Sequence, residues 1–348
     1  LSEKPTEYFH QFRLQSLTGG NQSKLMVQWD QPNGSQLKGE LISLIDLARN
    51  KRTGNLKSSI FILPGEVSIN REEWHVAQSS VLIDSSSFNF NNLSFYHNNQ
   101  RMFVDGRITK DPADTLEMNF SDINLDYANI FFPKKQLTFE GHINGRAKMA
   151  NLYHQPTFRS NLTIDTLSVN RQKIGQTRIT SKWNNQDQTI AMGVQSKRGK
   201  LKTIDLRGVY KPRNQNIRFD IGLDKLRMAV LNPLLEKSFS GFNGAVSGNL
   251  EVTGTTGKPV FNGRLSAHKA SFVIDYLQTE YHLTHTLQMS DNSLLFDGIQ
   301  VTDNQGNTAG VDGRLQFNSL KNIDYTFIID ASELRALNTT CLDNNIYY

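Results

Sequence analysis

The sequence predicts an all-β protein, an elongated, repetitive antiparallel sheet. Three observations carry that expectation. Apolar and polar residues alternate with period two through nearly every window, as in Phe88-Asn-Phe90, Ile190-Ala-Met192-Gly-Val194, Ile217-Arg-Phe219-Asp-Ile221 and Tyr325-Thr-Phe327. Strands with one dry and one wet face read this way. Short turn clusters such as Gly19-Gly20-Asn21, Asn98-Asn99, Asn184-Asn185 and Asp291-Asn292 separate these runs, and loops of hairpin length pair successive strands antiparallel. The chain also repeats itself.

Val104-Asp105-Gly106-Arg107-Ile108 returns as Ile204-Asp205-Leu206-Arg207-Gly208-Val209 and as Val311-Asp312-Gly313-Arg314-Leu315, with glycines 102 and 105 residues apart. Gly141-x3-Gly145 with Pro156 and Phe158 matches Gly244-x3-Gly248 with Pro259 and Phe261, each position offset by 103. Such a period describes an array, whose function lies in a groove or in its length rather than in one active site. The spacing predicts an N-terminal strand-rich piece at 1–34 and repeats at 35–135, 136–237 and 238–338. Residues 339–348 follow the third repeat.

Short helical turns are expected between repeats. The strongest runs from Asp224 to Lys237, where Leu226, Val230, Leu231, Leu234 and Leu235 recur at helical spacing. Asp224 and Asn232-Pro233 can serve as its caps. Leu125–Ile130 and Leu334–Leu337 are shorter versions. In each repeat an apolar residue, Met118, Phe219 or Phe327, stands seven positions before the leucine.

Composition bounds the function. The 348 residues are 37% hydrophobic with a net charge of +5, mildly basic. That charge reads as a solvated surface, or as affinity for an anionic surface; without a Lys/Arg run of five or more, nucleic acid is not expected as a partner. The single cysteine, Cys341, allows no internal disulfide and no cysteine-based metal site. There is no apolar run of 18 residues, the length a membrane-spanning helix needs. The chain opens on Leu1 and reads as a fragment of a longer protein.

No catalytic, cofactor-binding or metal-ligating set emerges, so an enzyme is not expected. His282 and His285, three apart on a strand, would point to opposite faces. Asp105 and Asp312 occur once per repeat, whereas glycosidase chemistry needs two carboxylates together. Gly254-x2-Gly257 lacks the helix that follows a phosphate loop. The repeated glycines mark either a bend or close approach inside a strand, or plain turns.

Periodicity alone allows either a closed sandwich or a sheet curled into an open trough. A resemblance favours the trough. Gly244-Ala-Val-Ser-Gly248-Asn-Leu250, then Gly257-Lys-Pro259-Val-Phe261-Asn-Gly263-Arg-Leu265, resembles the repeated phrases of AsmA-like proteins, the TamB branch in particular. Pro64–Trp74, Lys110–Leu116 and the ending Leu334–Tyr348 look like the Bacteroidetes type, the last like the start of its C-terminal domain. The resemblance covers about residues 60–348. It implies an open hydrophobic β-groove (a β-taco) and a periplasmic location in a Gram-negative bacterium. It implies phospholipid carried between the inner and outer membranes, and support for outer-membrane protein assembly. The implied partners are phospholipid acyl chains, a BamA-like outer-membrane barrel reached through a C-terminal domain, and the inner membrane reached through an N-terminal anchor.

The residues expected to line the groove are Phe90, Ile108, Ile164, Met192, Phe219, Val252, Leu265, Ile274, Leu315 and Phe327, each an apolar member of an alternating run near a repeat landmark. The competing functions are a structural β-solenoid or adhesin of the cell surface, and a carbohydrate-active enzyme on a β-helix. The β-helix needs self-similarity at about 20–25 residues, which is not found here. About 25 strands stacked at about 4.8 Å would give a body about 120 Å long, with a radius of gyration near 35 Å against about 20 Å for a compact globule. Solution scattering separates the two.

Overall fold

A computed structural model describes residues 11–30, 37–49, 54–131, 137–235, 239–319 and 322–339. Cys341 and the rest of 340–348 lie outside them. The chain divides into two compact units. The first is Leu1–Ile130, His142–Thr163 and Ser181–Asn185, and the second is Phe131–Gly141, Ile164–Thr180 and Gln186–Tyr348.

The fold is all-β, and 24 strands belong to one antiparallel sheet. In chain order they begin with β1 (Gln11–Gly19), β2 (Gln22–Asp30), β3 (Leu37–Arg49), β4 (Leu56–Ile62), β5 (Gly65–Ile69), β6 (Glu72–Val76), β7 (Ser79–Asp84), β8 (Ser87–His97), β9 (Gln100–Ile108), β10 (Thr115–Asn124), β11 (Phe139–Glu140) and β12 (His142–Ala150). There follow β13 (Thr157–Val169), β14 (Gln172–Asn184), β15 (Thr189–Arg198), β16 (Leu201–Lys211), β17 (Asn216–Arg227), β18 (Phe239–Thr255), β19 (Lys258–Ile274), β20 (Thr279–Leu283), β21 (Thr286–Ser290), β22 (Ser293–Asp303), β23 (Thr308–Ser319) and β24 (Asn322–Ala331).

Most strands pair with their sequence neighbours, but some long strands meet two short ones end to end. One half of β3 pairs with β4 and the other with β5, broken at Pro64, which has no N–H to give the ladder. One half of β19 likewise pairs with β20 and the other with β21.

Four of the repeated glycines, Gly106, Gly145, Gly248 and Gly313, lie inside strands and each stands opposite a bulge, whereas Gly208 pairs in register with Met192 and Phe219 and Gly141 is a bend between β11 and β12. Phe90 faces Gly106, Phe120 faces Gly145, Leu223 faces Gly248 and Phe296 faces Gly313. Immediately after each of these four apolar residues the register slips, and pairing resumes at Leu93, Ile123, Leu226 and Ile299. Inside each slip one residue is left-handed: Asn92 (φ 56°), Asp122 (φ 55°), Lys225 (φ 47°) or Gly298 (φ 57°). Its N–H is accepted by the side chain just before the facing glycine. Asn92 donates to Asp105 Oδ1 at 3.0 Å, Asp122 to Asn144 Oδ1 at 2.9 Å, Lys225 to Ser247 Oγ at 3.0 Å and Gly298 to Asp312 Oδ1 at 2.6 Å. The bulge turns the strand, and the acceptor satisfies the one donor it leaves out of the ladder.

Among the described residues helix is confined to short segments of one or two turns. A 3-10 segment spans Leu125–Phe131, another spans Met228–Leu231, and α1 covers Asn232–Leu235. The helix expected from Asp224 is shorter than its pattern, because residues through Arg227 belong to β17 and Leu226 pairs with Val246. Asn232 is no cap of its own helix; its Oδ1 accepts the Phe242 N–H at 2.9 Å. Residues 334–339 form no helix. The expected repeat boundaries at 135/136 and 237/238 lie outside the described residues.

Each unit has its own core. In the first, Val67, Trp74 and Val76 pack against Trp29, Leu41, Phe95, Ile123 and Tyr127. In the second, Ala267, Ala270, Tyr281, Leu283, Leu287, Ile299, Val301, Ala309 and Val311 form the larger cluster. Among the described residues, β1 pairs with β2 alone and β24 with β23 alone. Both outer strands expose large apolar side chains, including Leu17 (75%) on β1 and Ile328 (73%) on β24.

Candidate functional site

Residues directly opposite one another in a sheet share a face. In the second unit this places an apolar row across nine strands: Val194, Leu206, Ile221, Leu250, Gly263, Met289, Leu294, Leu315 and Tyr325 follow one another from β15 to β24, passing directly from β19 to β21. A parallel row reads Met192, Gly208, Phe219, Val252 and Phe261. A third reads Ile204, Leu223, Gly248, Leu265 and Leu287. The glycines let aromatic rings lie across the strand. A Cβ on Gly208 would stand 2.5 Å from the Phe219 ring, and one on Gly313 would stand 2.8 Å from that of Phe327. Only a bare backbone leaves room for those rings.

This face curves around a cavity of about 400 Å³, within the range of about 300–1,000 Å³ of small-molecule sites. Its walls are the dry sides of β17 to β24. All its lining side chains are apolar except Tyr281 and Arg227. Tyr281 turns its hydroxyl away into a hydrogen bond to the Arg335 carbonyl at 3.0 Å, and burial pushes its phenol above the ordinary range. The cavity therefore offers an apolar chain dispersion and burial, and little that could move a proton.

In each unit, segments at the sheet's margin are held by a buried polar residue at a hairpin. In the first unit Gln100 accepts the Asn124 N–H at 2.7 Å and donates to the Tyr127 hydroxyl at 3.1 Å, which itself donates to Glu72. In the second unit Asn170 donates to the Val230 carbonyl at 2.7 Å and accepts the Thr138 N–H at 2.8 Å. Asp303, 2% exposed, accepts from the Arg335 N–H at 2.9 Å and from the Gln305 and Asn307 N–H groups at 2.8 and 2.9 Å. The Arg335 bond is the leading cause that holds its carboxyl at about 2, with the Asn307 and Gln305 donors adding to it against the opposing effect of burial. Tied in this way, Val230 and Leu334 join the cavity wall.

Four of the ten residues expected to line a groove, Leu265, Ile274, Leu315 and Phe327, stand in this wall. Met192, Phe219 and Val252 lie on the same face in the second row. Ile164 is buried elsewhere in the second unit, against Gly141. Phe90 and Ile108 belong to the first unit, where Phe88 opposite Ile108 and Phe90 opposite Gly106 put them on one face. Sequence reasoning did not single out Met228, Phe239, Phe242 or Arg227. The leucine recurring seven residues after an apolar position was the signal for the closing segments.

Elsewhere, Glu66, Glu73 and His75 bring their ligand-type atoms within 4.8 Å of one another on the β5–β6 hairpin, where His75 stands 3.5 Å from Glu66. His282 and His285 do not join such a group; both are exposed.

Among the described residues no helix is long and apolar enough to cross a membrane. Searches of curated proteins and of solved structures each returned no match. A family model described as "TamB, N-terminal domain" matches residues 47–267, a stretch that ends before the closing residues 334–348. The match spans more than half of the chain, contains β4 to β18 whole, and ends within β19; the chain belongs to the TamB family.

Proposed function

We propose that the apolar face of the second unit carries phospholipid acyl chains. In this reading the protein conducts phospholipid between the inner and outer membranes and supports outer-membrane protein assembly. TamB membership implies, in general terms, a non-enzymatic bridging protein of the envelope-spanning periplasmic kind, with a role in outer-membrane protein assembly or lipid transport. A BamA-like barrel and the inner membrane would then be the partners at the two ends of the path.

The observation that carries the finer reading is the cavity, apolar on almost every side and continuous with three apolar rows. Burying an acyl chain there is worth about 0.8 kcal/mol per CH₂. Repeated small apolar contacts along a strand face offer no deep trap, which suits passage better than storage.

The test is photocrosslinking in cells. A benzophenone amino acid replaces Phe219 or Phe327 on the dry face, and Arg218 or Arg264 on the wet face. Phospholipid adducts are expected at the first pair and not at the second. Equal labelling of both faces, or no lipid at any position, would overturn the reading.

A further inference from the structure

A concentration of positive charge in the second unit lies beside this cavity. The tip of the β15–β16 hairpin reads Lys197-Arg198-Gly199-Lys200-Leu201-Lys202, turned tightly at Gly199 (φ 64°). Arg198 reaches across its neighbours, donating from Nη1 to the Lys173 carbonyl and from Nη2 to the Lys225 carbonyl, each at 3.3 Å. Lys173 on β14 and Lys225 on β17 are thereby gathered to the same rim. Two residues beyond Lys225, Arg227 is exposed and also part of the cavity wall, so the cavity reaches the surface at this rim.

The rim is poorly neutralised. Asp205 is taken by Lys202 at 2.8 Å and by Arg207 at 3.4 Å. Among the described residues, Lys173, Lys197, Arg198, Lys200, Lys225 and Arg227 take part in no ion pair. Like charges held together without counter-ions repel one another, and an anion at the rim relieves that repulsion.

We propose that this rim binds the phosphate of an anionic phospholipid whose acyl chains lie in the cavity. The inference rests on the acyl-chain reading above and adds the class of headgroup. A free anion would satisfy the cations and leave the cavity unused. A zwitterionic lipid would fill the cavity and bring its own cation to a positive rim. An anionic amphiphile satisfies both, with Arg and Lys as the ordinary partners of phosphate oxygens.

The experiment uses the full chain with fluorescent phosphatidylglycerol and phosphatidylcholine of identical acyl chains, in 0.15 M salt. Phosphatidylglycerol is expected to bind roughly tenfold tighter, the effect of one to two cations near an anionic group. Exchanging Lys173→Ser, Lys200→Ser and Lys225→Ser together should bring the advantage below about threefold, with most of the loss on the phosphatidylglycerol side. Raising the salt on the unaltered protein should erode the same advantage, which keeps the test independent of the variant's folding. Equal binding of the two lipids overturns the headgroup assignment and leaves the acyl-chain reading standing. Binding of neither removes both. A preference that survives neutralisation and salt, or inorganic phosphate bound as tightly as phosphatidylglycerol, overturns the rim as a headgroup site.

Discussion

At the scale of single residues, the feature that recurs is a pair made of a left-handed bulge residue and a side-chain acceptor placed just before a glycine on the next strand. Gly313 shows why the glycine is needed: its φ is 149°, and an added Cβ would stand 2.1 Å from the Thr326 carbonyl oxygen. Gly313→Ala should therefore cost about 1–3 kcal/mol through backbone strain, seen as a lower midpoint in urea unfolding; an unchanged midpoint would argue against the close approach. Asp312→Asn should be nearly neutral, because Asn144 performs the same task at the equivalent bulge. Asp312→Leu should lose about 1 kcal/mol, the worth of one hydrogen bond. In the sequence, Asp105 and Asp312 stood out for lying beside repeated glycines, but their acceptor role depends on cross-strand register, which spacing along one strand does not reveal.

At the scale of elements, the strands were legible because period two is a direct print of the pleat, and the hairpin-length turns fixed their antiparallel order. The helix from Asp224 was read too long for a physical reason. Leu226 stands at helical spacing from Val230, yet after the bulge it still pairs with Val246 in β17, and the chain turns helical only at Met228. The closing segments were visible only as recurring leucines, since the buried Gln100, Asn170 and Asp303 that tie them down lie far away in sequence. Asp303 gives this scale its prediction. Its carboxyl is held at about 2, below the ordinary 3.8, so the bond to the Arg335 N–H contributes stability that is complete above about pH 4 and is lost as the pH falls through 2. Thermal unfolding followed from pH 5 to 2 should show a fall in midpoint, and Asp303→Asn should flatten that fall while lowering the midpoint at neutral pH. The same acid limb in the variant would assign the loss to other carboxylates.

At the scale of the whole molecule, the conduit reading depends on an unbroken apolar face. Phe219 lies on that face in the row beside the cavity, so a charge placed there should interrupt passage with little damage to either core. Phe219→Asp is expected to leave the protein at normal abundance and abolish its support of the outer membrane, read as sensitivity to detergent and large antibiotics. Normal resistance at normal abundance would count against a lipid path. The ten expected lining residues divided between the two units because a sequence pattern names a strand's apolar side and cannot say which surface encloses space.

The outer strands have a consequence for how copies of the chain behave together. Among the described residues, β24 offers unpaired backbone groups and bare Tyr325, Ile328 and Ile329, and β1 offers Phe12, Leu14 and Leu17 in the same state. The β24 of one copy meeting the β1 of the next is a head-to-tail contact that leaves a fresh edge after every addition. The chain on its own should form filaments whose mean length rises with concentration in sedimentation velocity runs. Ile328→Lys together with Leu17→Lys should return it to a single slow species, because a charge on each edge makes the next addition repulsive.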